Sequence, residues 1–307
     1  MFRVLLALGA VGLIGASTAV ATAAASVHHD PRGAHDVVIL GGQFTYPAVN
    51  AAAVVLLVLA ALGLAVVTIL VLATWRQLRA YRHFVGDVRV LGPLPGHPDV
   101  TVIADQTPQA FCAGYLRPRI YVSSGALELL APEELAAVVL HEKHHLSARD
   151  PLRLGCARVL SEALFFLPAL RPLGDRYSEL AEQRADEAAI MAAGGATAPL
   201  ASALLAFEAG APAGSAGISP ERVDSLLGKS TRRQLPTGLI GLSLGAVALL
   251  IVLAWRASVV ASADATFNLP LVSSQPCMLV LALLPAVICL GSIGGRRLLR
   301  APGRIAA

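Results

Sequence analysis

The sequence predicts a mainly α membrane protein, in which four transmembrane helices carry an inserted α+β domain with a small β-sheet. Three observations lead there. The 307 residues are 56% hydrophobic and only 14% charged, with a mean hydropathy of +0.67, whereas a soluble domain is about half apolar and about a quarter charged. Four apolar runs, at 4–25, 51–74, 239–255 and 278–293, have the character of membrane spans. A block of soluble composition separates the second run from the third. The expected order is therefore two helices (1–75), a polar domain (76–236), and two more helices with a basic tail (237–307).

The net charge of +4 comes almost wholly from arginine. That balance suits basic cytoplasmic flanks, and nothing patterned like a nucleic-acid reader accompanies it, so no direct nucleic-acid partner is expected. Cys112, Cys156, Cys277 and Cys289 have neither C-x-x-C nor zinc-ribbon spacing. They are read as neither a disulfide framework nor metal ligands.

The first apolar run follows Arg3 and ends in small residues that include Ala19-Val20-Ala21 and Ala21-Thr22-Ala23. It has features of a cleavable signal peptide and of a first transmembrane helix. Its length exceeds a usual signal core and favours the retained helix. Residues 26–43 read as a solvated polar loop, because His28, His29, Asp30 and His35 share no i, i+4 register. The run 51–74 is the clearest span. It closes with Trp75 at the interface and Arg76, Arg79, Arg82 and His83, which mark the cytoplasmic side.

Inside the polar block, Val100–Ala104, Ala110–Gly114 and Arg119–Ser123 read as strands, the last two joined by a turn containing Gly114 and Pro118. Pro132, Glu133 and Glu134 then start a helix, with proline in the first turn and acids complementing the dipole. Val138, Val139 and Leu140 bring that helix into a core just before His141-Glu142-Lys143-His144-His145. This is H-E-x-x-H. On a helix, His141 and His145 lie one above the other on one face and can grip a single Zn²⁺. Glu142 stands beside the metal position without binding it, placed to take a proton from water and pass it to a leaving amine. His144 faces elsewhere.

A hydrolytic zinc needs a third protein ligand and an open position. Glu182 and Asp186 are four apart on one face of a later acidic helix. Glu182 is the expected third ligand, with Glu179 one turn earlier as its alternative. Asp186 is expected to accept the N–H of a ligand histidine and fix its tautomer. Asp150 and Pro151 look like the cap and first position of a new helix. Residues 152–170 are apolar but interrupted by Arg153, Arg158 and Glu162, charges that would be costly in lipid, so they read as a domain helix rather than a span. A spanning segment there would leave Glu182 across the membrane from His141. A further helix is expected at Pro199–Ala209, and another start at Ser219-Pro220-Glu221. The span 239–255 carries Gly241-x-x-x-Gly245, which permits close helix packing and a homodimer. Arg296, Arg297, Arg300 and Arg304 then place the C-terminus, like the polar block, in the cytosol.

The segments 110–125 (AFCAGYLRPRIYVSSG), 132–145 (PEELAAVVLHEKHH), Arg149-Asp150 and Glu182-x-x-Ala185-Asp186 resemble the BlaR/MecR-type membrane zinc metallopeptidases. The likeness is collinear over roughly 100–190. HtpX-type and CAAX prenyl proteases share much of the same pattern. The resemblance implies a zincin-like gluzincin domain with Zn²⁺ on His141, His145 and Glu182, Glu142 as base, and Asp186 behind a ligand. It also implies a cytosolic protease that cleaves a winged-helix BlaI/MecI-like repressor. The S-x-x-K nucleophile of the penicillin-binding sensor domain is absent from this sequence, so covalent β-lactam sensing is not expected. For the oxyanion, Tyr177 and Arg184 are candidates by nearness in sequence. The alternatives are an HtpX-like quality-control protease and a membrane signalling scaffold with a structural zinc, which would not require Glu142.

Overall fold

The computed structural model describes residues 1–25, 34–39, 42–47, 51–210 and 235–264. In chain order the helices are α1 (Phe2–Ala25), α2 (Ala51–Asp87), α3 (Ser124–Leu129), α4 (Pro132–Ala148), α5 (Asp150–Ala163), α6 (Leu170–Ala192), α7 (Ala198–Gly210) and α8 (Thr237–Asp264). The strands are β1 (Ala34–Ile39), β2 (Gly42–Pro47), β3 (Val90–Leu94), β4 (His97–Ile103), β5 (Ala110–Ala113) and β6 (Arg119–Ser123). The chain forms two compact units. One comprises Met1–Leu5, Thr74–Ser161 and Ala169–Thr237; the other comprises Leu6–Ala73, Glu162–Pro168 and Gly238–Ala307.

Among the described residues, three helical stretches are long and apolar enough to cross a membrane: Phe2–Ala23, Val54–Asp87 and Thr237–Val260. Ala19, Leu59 and Ala254 pack between these helices. At Gly63 any side chain would collide with the Ala16 carbonyl oxygen, 2.9 Å from the Cβ position, so the small residue sets how closely α1 and α2 approach. Ile14, Val58, Val71, Leu242 and Leu249 stay exposed, a surface that suits lipid better than water. On α8 a side chain at Gly241 or Gly245 would meet nothing within 4 Å among the described residues. The expected span 278–293, the arginine-rich tail and the helix start at Ser219 lie outside the described residues.

Four details depart from the sequence expectation. The stretch 26–43 is not simply a loop: β1 pairs antiparallel with β2 from Ala34↔Pro47 to Ile39↔Gly42. Helix α2 runs on past Trp75 to Asp87, since no proline interrupts it and only the solvent, not the backbone, changes at the arginines. Its extension docks through aromatic rings, with Phe84 5.5 Å from Phe111 and 5.3 Å from Tyr121, and Tyr81 5.7 Å from Tyr115. β3 was hidden by its Gly92-Pro93 break, where the ladder with β4 slips register and Gly92 adopts φ +149. Finally, 152–170 is not one helix. α5 ends at Ala163 and α6 begins at Leu170, with Pro168 in the break.

The second sheet is mixed, in the order β3-β4-β6-β5, with β4 parallel to β6 and the outer pairs antiparallel. Its central strand β6 is buried from Ile120 to Ser123. Val100, Val102, Ile120 and Val122 form one core with Val138 and Val139 of α4 and Ala203 of α7. Fully burying a side chain of this size is worth about 1.5–3 kcal/mol. This core fixes α4 against the sheet, leaving β5 at the edge beside it.

Candidate metal centre

Helix α4 is well specified locally. Pro132 occupies its first position, and the Glu134 carboxylate accepts the Ala131 N–H at 2.9 Å. Arg149, at φ 55, ends it by donating its N–H back to His145 and Leu146 carbonyls. Because Val138 and Val139 are held in the core, the next turn is drawn inward. His141, Glu142 and His145 are 6%, 7% and 8% exposed.

Helix α6 packs along α4 and brings Glu182 to the histidine pair. The two Nε2 atoms lie 3.1 Å apart. Glu182 Oε2 is 3.6 Å from His141 Nε2, and Glu182 Oε1 is 3.6 Å from His145 Nε2. Four residues on, Asp186 is 2% exposed and faces the other ring nitrogen of His141, with Oδ1 2.9 Å from Nδ1. Glu179 is not among the residues whose donor atoms converge. His144 is partly buried beside His145, with ring centroids 6.4 Å apart. Its pKa is lowered by burial and by the neighbouring His145.

Asp150, expected only as a helix cap, performs for His145 what Asp186 does for His141. Its Oδ2 lies 2.9 Å from His145 Nδ1, and the Tyr177 hydroxyl donates to its other oxygen at 2.7 Å. Burial opposes the charge on Asp150, but the hydrogen bonds from His145 and Tyr177 hold its carboxyl below the usual range. Tyr177 is pushed up to about 12 by burial and by this bond. Neither Tyr177 nor Arg184 lines the cavity at the histidines.

This donor set fits a zinc ion. Zinc bonds of about 2.0–2.1 Å at tetrahedral angles separate their donors by roughly 3.3 Å, and the observed separations bracket that value. The electrostatics agree. With His145 Nδ1 hydrogen-bonded to Asp150 and His141 Nδ1 beside the Asp186 carboxylate, both Nε2 atoms and the Glu182 carboxylate face one small space, which demands positive charge. A proton answers the same demand: burial opposes charging His141, yet Asp186, Glu182 and Glu142 overcome it and push its pKa up to about 9.

The site opens onto a cavity of about 340 Å³ lined on one side by Ala110, Phe111 and Cys112 of β5 and on another by Leu200, Leu204 and Phe207 of α7. Residues 88–209 match peptidase family M48. This stretch runs from the end of α2 through α7 and contains every residue of the site just described. Protease HtpX homolog 2 of Methanosarcina mazei is 35% identical to this chain over 72 residues. The match spans 23% of this chain and 24% of that relative, about a quarter of each. The M48 match covers less than half of the chain, and the apolar helices suit membrane association.

The sequence signals for the missed residues differ. Asp150 follows His145 by five positions, and the left-handed turn at Arg149 bends the chain back so that its carboxylate meets the ring. The cavity wall from α7 carried no signal, since an apolar helix reads the same whether it faces a core or a cleft.

Proposed function

We propose that this chain is a membrane-bound zinc metalloendopeptidase that hydrolyses peptide bonds on the cytosolic side. The observation that carries the reading is the meeting of two histidine nitrogens and a carboxylate at zinc-like separations, with the buried Glu142 beside them in an open cavity. His141, His145 and Glu182 would hold the ion, and Asp150 and Asp186 would orient the two rings. When bound, zinc supplies a Lewis acid that polarises a carbonyl and acidifies water. Glu142 takes the proton and returns it to the leaving amine, its low exposure keeping bulk water from competing. The outer edge of β5, unpaired among the described residues, is suited to receive an extended peptide as an added strand.

The cytosolic side is supported by Arg76, Arg79 and Arg82 at the end of the apolar part of α2. Met1–Leu5 packs in the same unit as the metal centre, as two intervening spans would require, so the N-terminus shares the side of the site. Replacing Glu142 by Gln or Ala tests the activity. Zinc binding should persist while cleavage of a peptide by the detergent-solubilised protein falls about 10²–10⁴-fold. Undiminished cleavage would refute the reading, as would loss of biological function only when zinc, but not Glu142, is removed.

Two cellular roles remain distinct within it. The BlaR/MecR-like pattern of 110–145 favours a regulator that cleaves a winged-helix repressor, whereas the similarity to a protease HtpX homolog favours quality control of membrane proteins. Comparing the proteomes of cells with active and Glu142→Gln protein separates them. One dominant cleaved repressor fits regulation; many stabilised membrane proteins fit quality control.

A further inference from the structure

We infer that the head of the first apolar helix is mechanically part of the metal centre, acting through Tyr177 and Asp150 as positioning residues for His145. The inference rests on the metal reading above and goes beyond it. The path is short. His145 Nδ1 meets Asp150 at 2.9 Å, and Asp150 meets the Tyr177 hydroxyl at 2.7 Å. On its far side the Tyr177 ring packs against Phe2, with centroids 5.2 Å apart.

Phe2 is not there by accident of one contact. The Arg153 guanidinium stands 5.8 Å from the centre of its ring, closing the group from the α5 side. One turn later on α1, Leu5 is fully buried and reaches α6 at Gly174, where a Cβ in place of the glycine hydrogen would come within 4.0 Å of the Leu5 Cδ1. Thus the first turn of α1 is clamped to the same helix that supplies Glu182 and Asp186. Tyr177 and Asp150 are 4% and 3% exposed, so the bond between them is shielded from bulk solvent. If the Phe2 ring leaves, Tyr177 can turn its hydroxyl off Asp150, and Asp150 then loses the bond that sets its angle towards His145. Displacement of the Phe2 ring is thereby converted into a change in how well His145 presents its Nε2 lone pair to a metal.

The experiment measures Zn²⁺ affinity by competition with a chromophoric chelator, and the visible spectrum of the Co²⁺-substituted protein, on the full chain in detergent. Tyr177→Phe keeps the ring and removes the hydroxyl; it should weaken Zn²⁺ binding about 10-fold and shift the Co²⁺ bands, as loss of a ligand's supporting hydrogen bond does. Phe2→Ala should weaken binding in the same direction, Phe2→Leu should restore it, and the Phe2→Ala, Tyr177→Phe pair should cost no more than Tyr177→Phe alone. Wild-type affinity and spectrum in both single variants, with His145→Ala abolishing binding, would overturn the inference while leaving the metal reading intact. Fully additive effects would overturn the passage through Tyr177. If the unaltered chain takes up no zinc, or His145→Ala binds it normally, the metal reading itself fails. Should Tyr177→Phe not fold, the half-buried Phe2 position decides alone.

Discussion

Zinc affinity should depend on Glu182 and not on Glu179. Both are acids on α6 one turn apart, and only Glu182 places oxygens near both histidine nitrogens, at 3.6 Å each. Four protein donors together bind a structural zinc by about 10–16 kcal/mol, so one charged donor is worth about 3 kcal/mol, or ~10²-fold in affinity. Glu182→Gln keeps shape and loses the charge. It should therefore weaken zinc binding by about that factor. Its side chain is 38% exposed, so the melting temperature of the metal-free protein should barely move. Glu179→Gln should leave both quantities unchanged. Chelator competition and thermal melting in the same detergent check this. Equal affinity in Glu182→Gln and wild type, or the loss falling on Glu179→Gln instead, would refute the assignment.

The frame and the cavity wall are open to test as well. Ile120 is fully buried in the central strand, so Ile120→Ala should cost about 2–5 kcal/mol, read by melting of the metal-free protein. Gly125→Ala would put a Cβ 2.1 Å from the Gln106 carbonyl oxygen, and the forced shift should cost at least about 1–3 kcal/mol. Gly86→Ala, where a Cβ meets nothing within 4 Å, should be neutral or mildly stabilising in the same melt. Burial first, and then the charges of Glu142 and Asp150, push the Cys112 thiol up to about 12. Only the thiolate alkylates, so at pH 8 Cys112 should label at least ~10²-fold more slowly than free cysteine and speed up about tenfold per pH unit. Peptide mass spectrometry of iodoacetamide-treated protein decides it, and labelling at the free-thiol rate would contradict the placement of Cys112 beside those carboxylates.

What the sequence determined by itself is what depends on local spacing. Four-residue spacing on a helix puts His141 over His145 and Glu182 over Asp186 whatever surrounds them. Apolar length marks α1, α2 and α8, and Pro132 with Glu133 and Glu134 marks the start of α4. Tertiary structure decided everything that needed two distant segments to meet. It alone brings the Glu182 carboxylate, and not that of Glu179, to the two histidines, because that depends on how α6 lies along α4 and not on either helix. It turned Asp150 from a cap into the partner of His145 through one left-handed residue, and it drew Tyr177 away from the oxyanion position onto that carboxylate. It made a strand of the Gly92-Pro93 stretch, whose own residues disfavour one, because β4 offered a ladder. The head of α1, written as plain membrane helix, packs its Phe2 ring against Tyr177 because buried apolar and aromatic surface is non-directional. Such surface reveals its partner only when the chain is folded.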